Sequence, residues 1–179
     1  MTTARLALRK ATAPDHDRVD RAFSGFDLSE PAGYRAFLRA QEHALLPVEA
    51  ALDAAGAERI VSDWPARRRA RALRDDLDRM GEREVSMEPF PAPSSPAEVL
   101  GAMYVLEGSR LGGRLLARAI PPDFPRAFFT HADPGRWPAL IEILDKTLIS
   151  DDEIAAAVGA AGSVFARFET GARIYARKS

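Results

Sequence analysis

Apolar residues recur at intervals of three and four along most of the chain, and no stretch alternates as a strand would. Start and stop signals divide this pattern into six helical segments. The first spans about Arg5 to Phe23 and contains Pro14. Either Thr12 caps a helix that carries Pro14 in its first turn, or the segment kinks there. The second runs from Ser29–Pro31 to Ala54, with Gly56 as its stop. The third opens at Asp63–Pro65 and ends before Gly81. Pro89, Pro91 and Pro93 mark residues 82–95 as an extended connection. The fourth opens on the capping box Ser95-Pro-Ala-Glu98 and continues to Ala119, ahead of Pro121 and Pro122. The fifth starts at Asp133–Pro134. The sixth opens on a second capping box, Ser150-Asp-Asp-Glu153, and runs towards the C-terminus. Six helices without a sheet predict an all-α single domain over residues 1–179, a helical bundle or orthogonal array.

Composition narrows the chemistry. With 179 residues, 46% hydrophobic and 28% charged, the chain is long enough for a proper core and too apolar to be disordered. A formal net charge of -1 gives no basic footprint for nucleic acid. The absence of cysteine removes disulfides, iron–sulfur clusters, thiolate heme ligation and cysteine zinc sites together. No apolar run has spanning length, and the N-terminus has no signal-peptide core, so a cytoplasmic protein without a membrane partner is expected.

Three histidines can be weighed one by one. His131 falls in a loop ahead of a helix start. His43 falls off the apolar stripe of the second helix, which runs through Tyr34, Phe37, Leu38, Leu45, Val48 and Leu52, so solvent is its expected environment. His16 falls on the apolar face of the first helix with Leu8, Thr12, Val19 and Phe23. That placement fits a satisfied core histidine or a metal or heme ligand, and both readings stand. Asp20, one turn on, has the spacing to orient the ring. A helix starting near Thr12 would place His16 close to its positive end and favour a neutral, ligating imidazole.

The second constellation is Tyr104-Val-Leu-Glu-Gly-Ser-Arg-Leu-Gly-Gly113. A glycine inside a helix costs about 1 kcal/mol relative to alanine, so three in six residues need a reason. Gly108 and Gly112 share a face and leave it bare. Close helix packing, a kink, and a surface that a flat ligand can approach are all compatible with that. No phosphate loop or dinucleotide fingerprint is present. Arg110, Arg114 and Arg118 lie roughly opposite the glycines and read as a solvated stripe. The run Arg67, Arg68, Arg69, Arg71 and Arg74, followed by Asp75, Asp76 and Asp78, reads as a salt-bridged surface, or else as a dock for an acidic partner.

Taken as a pair, these motifs resemble those of one family. Leu8-Arg-Lys-Ala-Thr-x-x-x-His16 resembles the proximal helix of heme oxygenases. Residues 104–113 resemble their distal helix, in the form found in biliverdin-producing bacterial enzymes associated with bacteriophytochromes. Asp27 to Leu38 and the Trp64 helix are similar as well, so the resemblance covers most of the chain. It implies His16 as the iron ligand, Asp20 beside the proximal imidazole, and Arg9 paired with a heme propionate. It further implies distal roles for Gly108, Ser109 and Gly112, and Phe165 as a pocket wall. Ser109 stands where mammalian-type enzymes carry aspartate, and the residues that bind the second propionate there have no clear match, Arg136 being a candidate. The activity implied is cleavage of heme, both cofactor and substrate, by O2 and reductant to biliverdin, CO and ferrous iron. Electrons would come from a ferredoxin or a reductase. The competing readings are a non-catalytic heme sensor or carrier, a thiaminase-like cofactor-processing enzyme of related fold, and a helical interaction domain.

Overall fold

The structure is a computed structural model that describes residues 4–130 and 133–176, the side chain of Arg114 excepted. His131 lies outside the described residues. The described residues form eight α-helices: α1 (Ala4–Phe23), α2 (Pro31–Ala54), α3 (Trp64–Arg67), α4 (Ala70–Arg79), α5 (Pro96–Leu116), α6 (Ala127–Thr130), α7 (Arg136–Thr147) and α8 (Asp151–Ala176). A single 3-10 turn, Ala57–Arg59, follows α2. No strand occurs among the described residues, and none of the described helices is long and apolar enough to cross a membrane.

The sequence signals set most ends. Gly56 and Gly81 adopt φ of 70° and 80°, the left-handed conformation that closes a helix. At Gly81 the Glu82 N–H also reaches back to the Leu77 carbonyl at 3.0 Å, which satisfies an orphan acceptor of the last turn. At α8 the capping box is reciprocal: Glu153 N–H donates to Ser150 Oγ (3.2 Å) and Ser150 N–H donates to Glu153 Oε2 (2.9 Å). At α5, Ser95 Oγ accepts from Glu98 N–H at 3.2 Å, but the Glu98 carboxylate accepts from Ser94 N–H at 2.6 Å. Residues 82–95 run extended, pinned by Arg39 on Glu82 and by Arg167 Nη2 donating to the Glu88 carbonyl at 2.7 Å.

Several expectations are corrected. α1 passes through Pro14 without a break, because Pro14 is exposed and the Lys10 carbonyl that loses its donor faces water. Thr12 does not cap; its hydroxyl donates back to the Leu8 carbonyl at 2.8 Å. His16 therefore sits three turns into the helix, remote from the dipole's positive end. The third segment breaks at Arg68–Arg69, and α7 starts at Arg136 after an Asp133 side-chain turn. His43 is half-buried against α8, not solvated, with an edge-on contact to Tyr175. Arg67 and Arg69 are buried at 2% and 6% exposure, whereas Arg68 and Arg71 are exposed and Arg74 partly so, with Arg68 paired to Asp53 and Arg74 to Glu84; the basic run is a salt-bridged surface only in part. Arg110 is also mostly buried, its Nε 2.9 Å from Glu107. Arg67, Arg69 and Arg110 turn inward because buried carboxylates and carbonyls receive them, which helical periodicity does not reveal.

The helix α8 packs along α1, α2 and α5. The crossings are close. There is no room for a Cβ between Gly101 and the Ala157 carbonyl, or between Gly171 and the Ala40 carbonyl. Leu8, Tyr34, Leu38, Leu45, Leu52, Leu100, Met103, Leu140 and Val164 fill the core. Two buried carboxylates cap other elements at a distance. Glu49 accepts from Arg69 N–H (2.7 Å) and Ala70 N–H (3.0 Å) at the start of α4. Asp76 accepts from Ala127 N–H (2.9 Å) and Phe128 N–H (2.8 Å) at the start of α6.

Two outcomes follow. Asp76→Ala leaves two amides without acceptors, at a cost of roughly 1–3 kcal/mol for each buried donor. Urea unfolding should show a lowered midpoint with an unchanged slope, and Asp76→Asn should recover part of the loss. The His43 imidazole is held below its ordinary value of 6.5, by burial first and by Arg167 second. The unfolded chain thus takes up a proton more readily than the folded one, and stability falls as pH drops below 6.5. Melting temperatures between pH 7.5 and 5.5 should show that decline, and His43→Leu should flatten it.

Candidate functional site

On α1, Arg9, His16 and Asp20 share one exposed face. The His16 side chain is 61% exposed, at the margin of the apolar stripe and not within it. Its Nδ1 lies 3.1 Å from Asp20 Oδ2, the i,i+4 partner. That contact fixes the ring and leaves Nε2 directed away from its own helix as the free lone pair. On the other side of the ring stands Phe165 of α8, 7% exposed, edge-on to the imidazole at 6.0 Å between centroids. α1 and α8 lie side by side there, with Gly162 beside Asp15. Arg18, joined to Asp15 and 3.4 Å from Glu169, holds the two helices together.

Helix α5 supplies a second surface. Tyr104, Gly108, Leu111, Gly112 and Leu115 fall within one face at about 100° per residue. Tyr104 stacks on Trp137 of α7 at 5.5 Å, and Trp137 also covers Gly108. One turn further the face is open. Nothing stands within 4 Å of where a Gly112 Cβ would be, and Leu111 and Leu115 are 48% and 68% exposed. An apolar, backbone-bare strip with no protein partner is suited to a flat apolar ligand. Burial pushes the Tyr104 phenol up, while Arg5 and Arg9 pull it down, so both cations of α1 lie near that hydroxyl. The basic end of α1 thus meets the Tyr104 turn of α5.

Ser109 turns to the neighbouring side of α5. Its hydroxyl donates to the Leu106 carbonyl (2.7 Å) and accepts from Arg69 Nη2 (2.8 Å). Beneath it, Glu107 is buried between Arg67 Nη1 (3.3 Å) and Arg110 Nε (2.9 Å). Arg136 is committed elsewhere: its Nη1 donates to the Ala66 carbonyl at 2.6 Å, and its own carbonyl accepts from Arg67. The structure places Arg9, His16 and Asp20 on one exposed face of α1 with Phe165 against the His16 ring, and Gly108 and Gly112 on one face of α5; Arg9 is linked to that helix through Tyr104. Arg136 belongs to the α3–α7 junction. Tyr104, Trp137 and Arg69 were not singled out from the sequence. Tyr104 stood inside the glycine motif, but Arg69 could not be told from its neighbouring arginines. Among the described residues no cluster of three or more His, Cys, Asp or Glu could hold a bare metal ion; His16 is the one imidazole at the site.

No family model matches the chain. A curated protein of Xanthomonas campestris pv. campestris named heme oxygenase is 40% identical over 116 residues, which is 61% of this chain and 70% of that one. Two solved structures share the fold. The heme oxygenase of Neisseria meningitidis, determined with NO and CO bound, matches at a TM-score of 0.78 and 22% identity, over 99% of this chain and 94% of that one. The heme oxygenase of Leptospira interrogans matches at 0.73 and 19%, over 96% and 98%. With an exposed, carboxylate-held imidazole on α1, a bare glycine turn on α5, and 40% identity over 70% of a curated relative, the chain belongs to the heme oxygenase family.

Proposed function

We propose that this protein binds heme through His16 Nε2 and degrades it with O2 and reducing equivalents to biliverdin, CO and ferrous iron. The observation that carries this reading is the open surface of α5 at Gly112, together with an exposed imidazole on α1 whose Nδ1 is already held by Asp20. The residues fit the group. A macrocycle needs a flat apolar bed, one axial donor and cations for its carboxylates.

Bound there, heme supplies the iron that activates oxygen and the carbon framework that is cleaved. The chain does the rest. His16 Nε2 would hold the iron, and the Asp20 carboxylate would hold the Nδ1 proton and raise the donor strength of Nε2. Arg9, with the Tyr104 hydroxyl near it, meets a propionate. Phe165 keeps the imidazole from turning. Gly108 and Gly112 leave room for a small ligand on the α5 side and present no group that would compete for iron. Ser109 is a positioning residue: its proton is spent on the Leu106 carbonyl, and Arg69 fixes its oxygen. Electrons come from a ferredoxin or a flavin reductase, in the cytoplasmic setting expected from the sequence. A bacteriophytochrome is the consumer of biliverdin that the motif resemblance suggests.

Aerobic turnover of added heme with a reductant tests the reading. The Soret band should give way to a biliverdin spectrum, with the product identified by chromatography. Heme that binds and stays intact would make the protein a carrier. His16→Ala should change the ferric axial signature and abolish turnover, and Asp20→Ala should weaken heme binding or activity by about 10–100-fold. Gly112→Leu offers a sharper test, since open space at that position lets the heme-free fold accept the side chain. Its melting temperature should hold or rise, helped by up to about 1 kcal/mol of helix propensity, while heme affinity falls. Unchanged affinity in that variant would remove α5 from the site.

A further inference from the structure

The Arg69 guanidinium is buried without a direct ion pair among the described residues. The residue is 6% exposed. Its Nη2 donates to two neutral oxygens, Leu106 O at 2.9 Å and Ser109 Oγ at 2.8 Å. The guanidinium also lies over the Phe128 ring, 4.9 Å from its centre. Among the described residues no carboxylate pairs with this side chain. Glu49 meets only the Arg69 backbone N–H, and Glu107 is taken by Arg67 and Arg110. Burial pushes the guanidinium down to about 10 and Arg110 adds to that push, while the nearby Glu49 and Glu107 carboxylates offset part of it. A buried cation is costly unless a counter-charge reaches it.

Arg69 lines a cavity of about 40 Å³ between α2, α4, α5 and α6, together with Phe37, Gln41, Gly113, Leu116 and Phe129. That is more than the roughly 10–15 Å³ a single water needs. We propose that this cavity binds a small monovalent anion of the halide class, held by the Arg69 guanidinium and the Gln41 side-chain amide. The amide N–H adds a donor, and aromatic edges carry partial positive charge that an anion can meet. The apolar share of the lining disfavours large, strongly hydrated dianions such as sulfate. The site lies one residue around α5 from the glycine strip, with Ser109 between the two. It does not depend on heme, and its ligand would give the Arg69 guanidinium the direct ionic partner that the nearby carboxylates, engaged elsewhere, do not supply.

The test uses the full chain without heme. Chloride-35 NMR should show excess line broadening that saturates with protein and is displaced by bromide. Crystals grown in sodium bromide should show an anomalous peak beside Arg69. Arg69→Met should abolish the broadening. Gln41→Leu and Gly113→Ala should weaken it with the guanidinium intact; an alanine Cβ at position 113 would stand 3.5 Å from the Phe129 ring and narrow the cavity. Those two variants decide the matter if Arg69→Met does not fold. Equal broadening in the wild type and all folded variants overturns the proposal, as does bromide bound only away from Arg69.

Discussion

The arrangement of the site depends on how closely α8 lies against three other helices. Gly101 meets the Ala157 carbonyl, Gly171 meets the Ala40 carbonyl, and Gly162 lies beside Asp15, so α5, α2 and α1 all approach this helix backbone to side chain or closer. Helices held so tightly cannot slide without losing packing along their length. α1 and α5 are thus placed by a common wall. Phe165, on that wall, touches the His16 ring. The helices that carry the imidazole and the glycine strip are placed relative to one another because both rest on α8.

A second layer of constraint is electrostatic. The structure buries Glu49, Asp76 and Glu107 and gives each of them backbone donors or guanidinium groups. Each such carboxylate joins elements far apart in sequence: α2 to α4, α4 to α6, and α5 to the α3 segment. Removing one partner from such a pair costs far more than the pair contributes, which makes these contacts devices of specificity. Their distribution divides α5 in two. Up to Arg110 the helix is locked by Arg67, Arg69 and Glu107, whereas Leu111, Gly112 and Leu115 are left open. The open half is where a flat ligand finds an apolar bed, and the locked half keeps that bed in register with α1.

Much of this was legible beforehand where the cause is local. Both capping boxes start helices, and Gly56 and Gly81 end them, because a side chain or a positive φ acts within one turn. The pairing of His16 with Asp20 follows from i,i+4 spacing. The misread residues share a different cause. Arg67, Arg69 and Arg110 read as surface charge because their partners, Glu107, Ser109 and the carbonyls of Leu106 and Arg136, come from other segments. His43 read as solvated because α8 returns to cover it. Thr12 read as a cap because Pro14 follows, yet the packing of Ala4 and Leu8 carries the helix two turns earlier.

The sequence by itself determined the helical class, most helix ends, and the two motifs that carry the chemistry, since each depends on neighbours within a few residues. Tertiary structure alone decided that His16 is exposed, that Tyr104 lies near Arg9, that Trp137 covers Gly108 but not Gly112, and that Arg69 is buried without a direct ion pair among the described residues. The physical reason is that exposure and charge pairing depend on which helix packs across a given face. Here that is settled by the backbone contacts along α8.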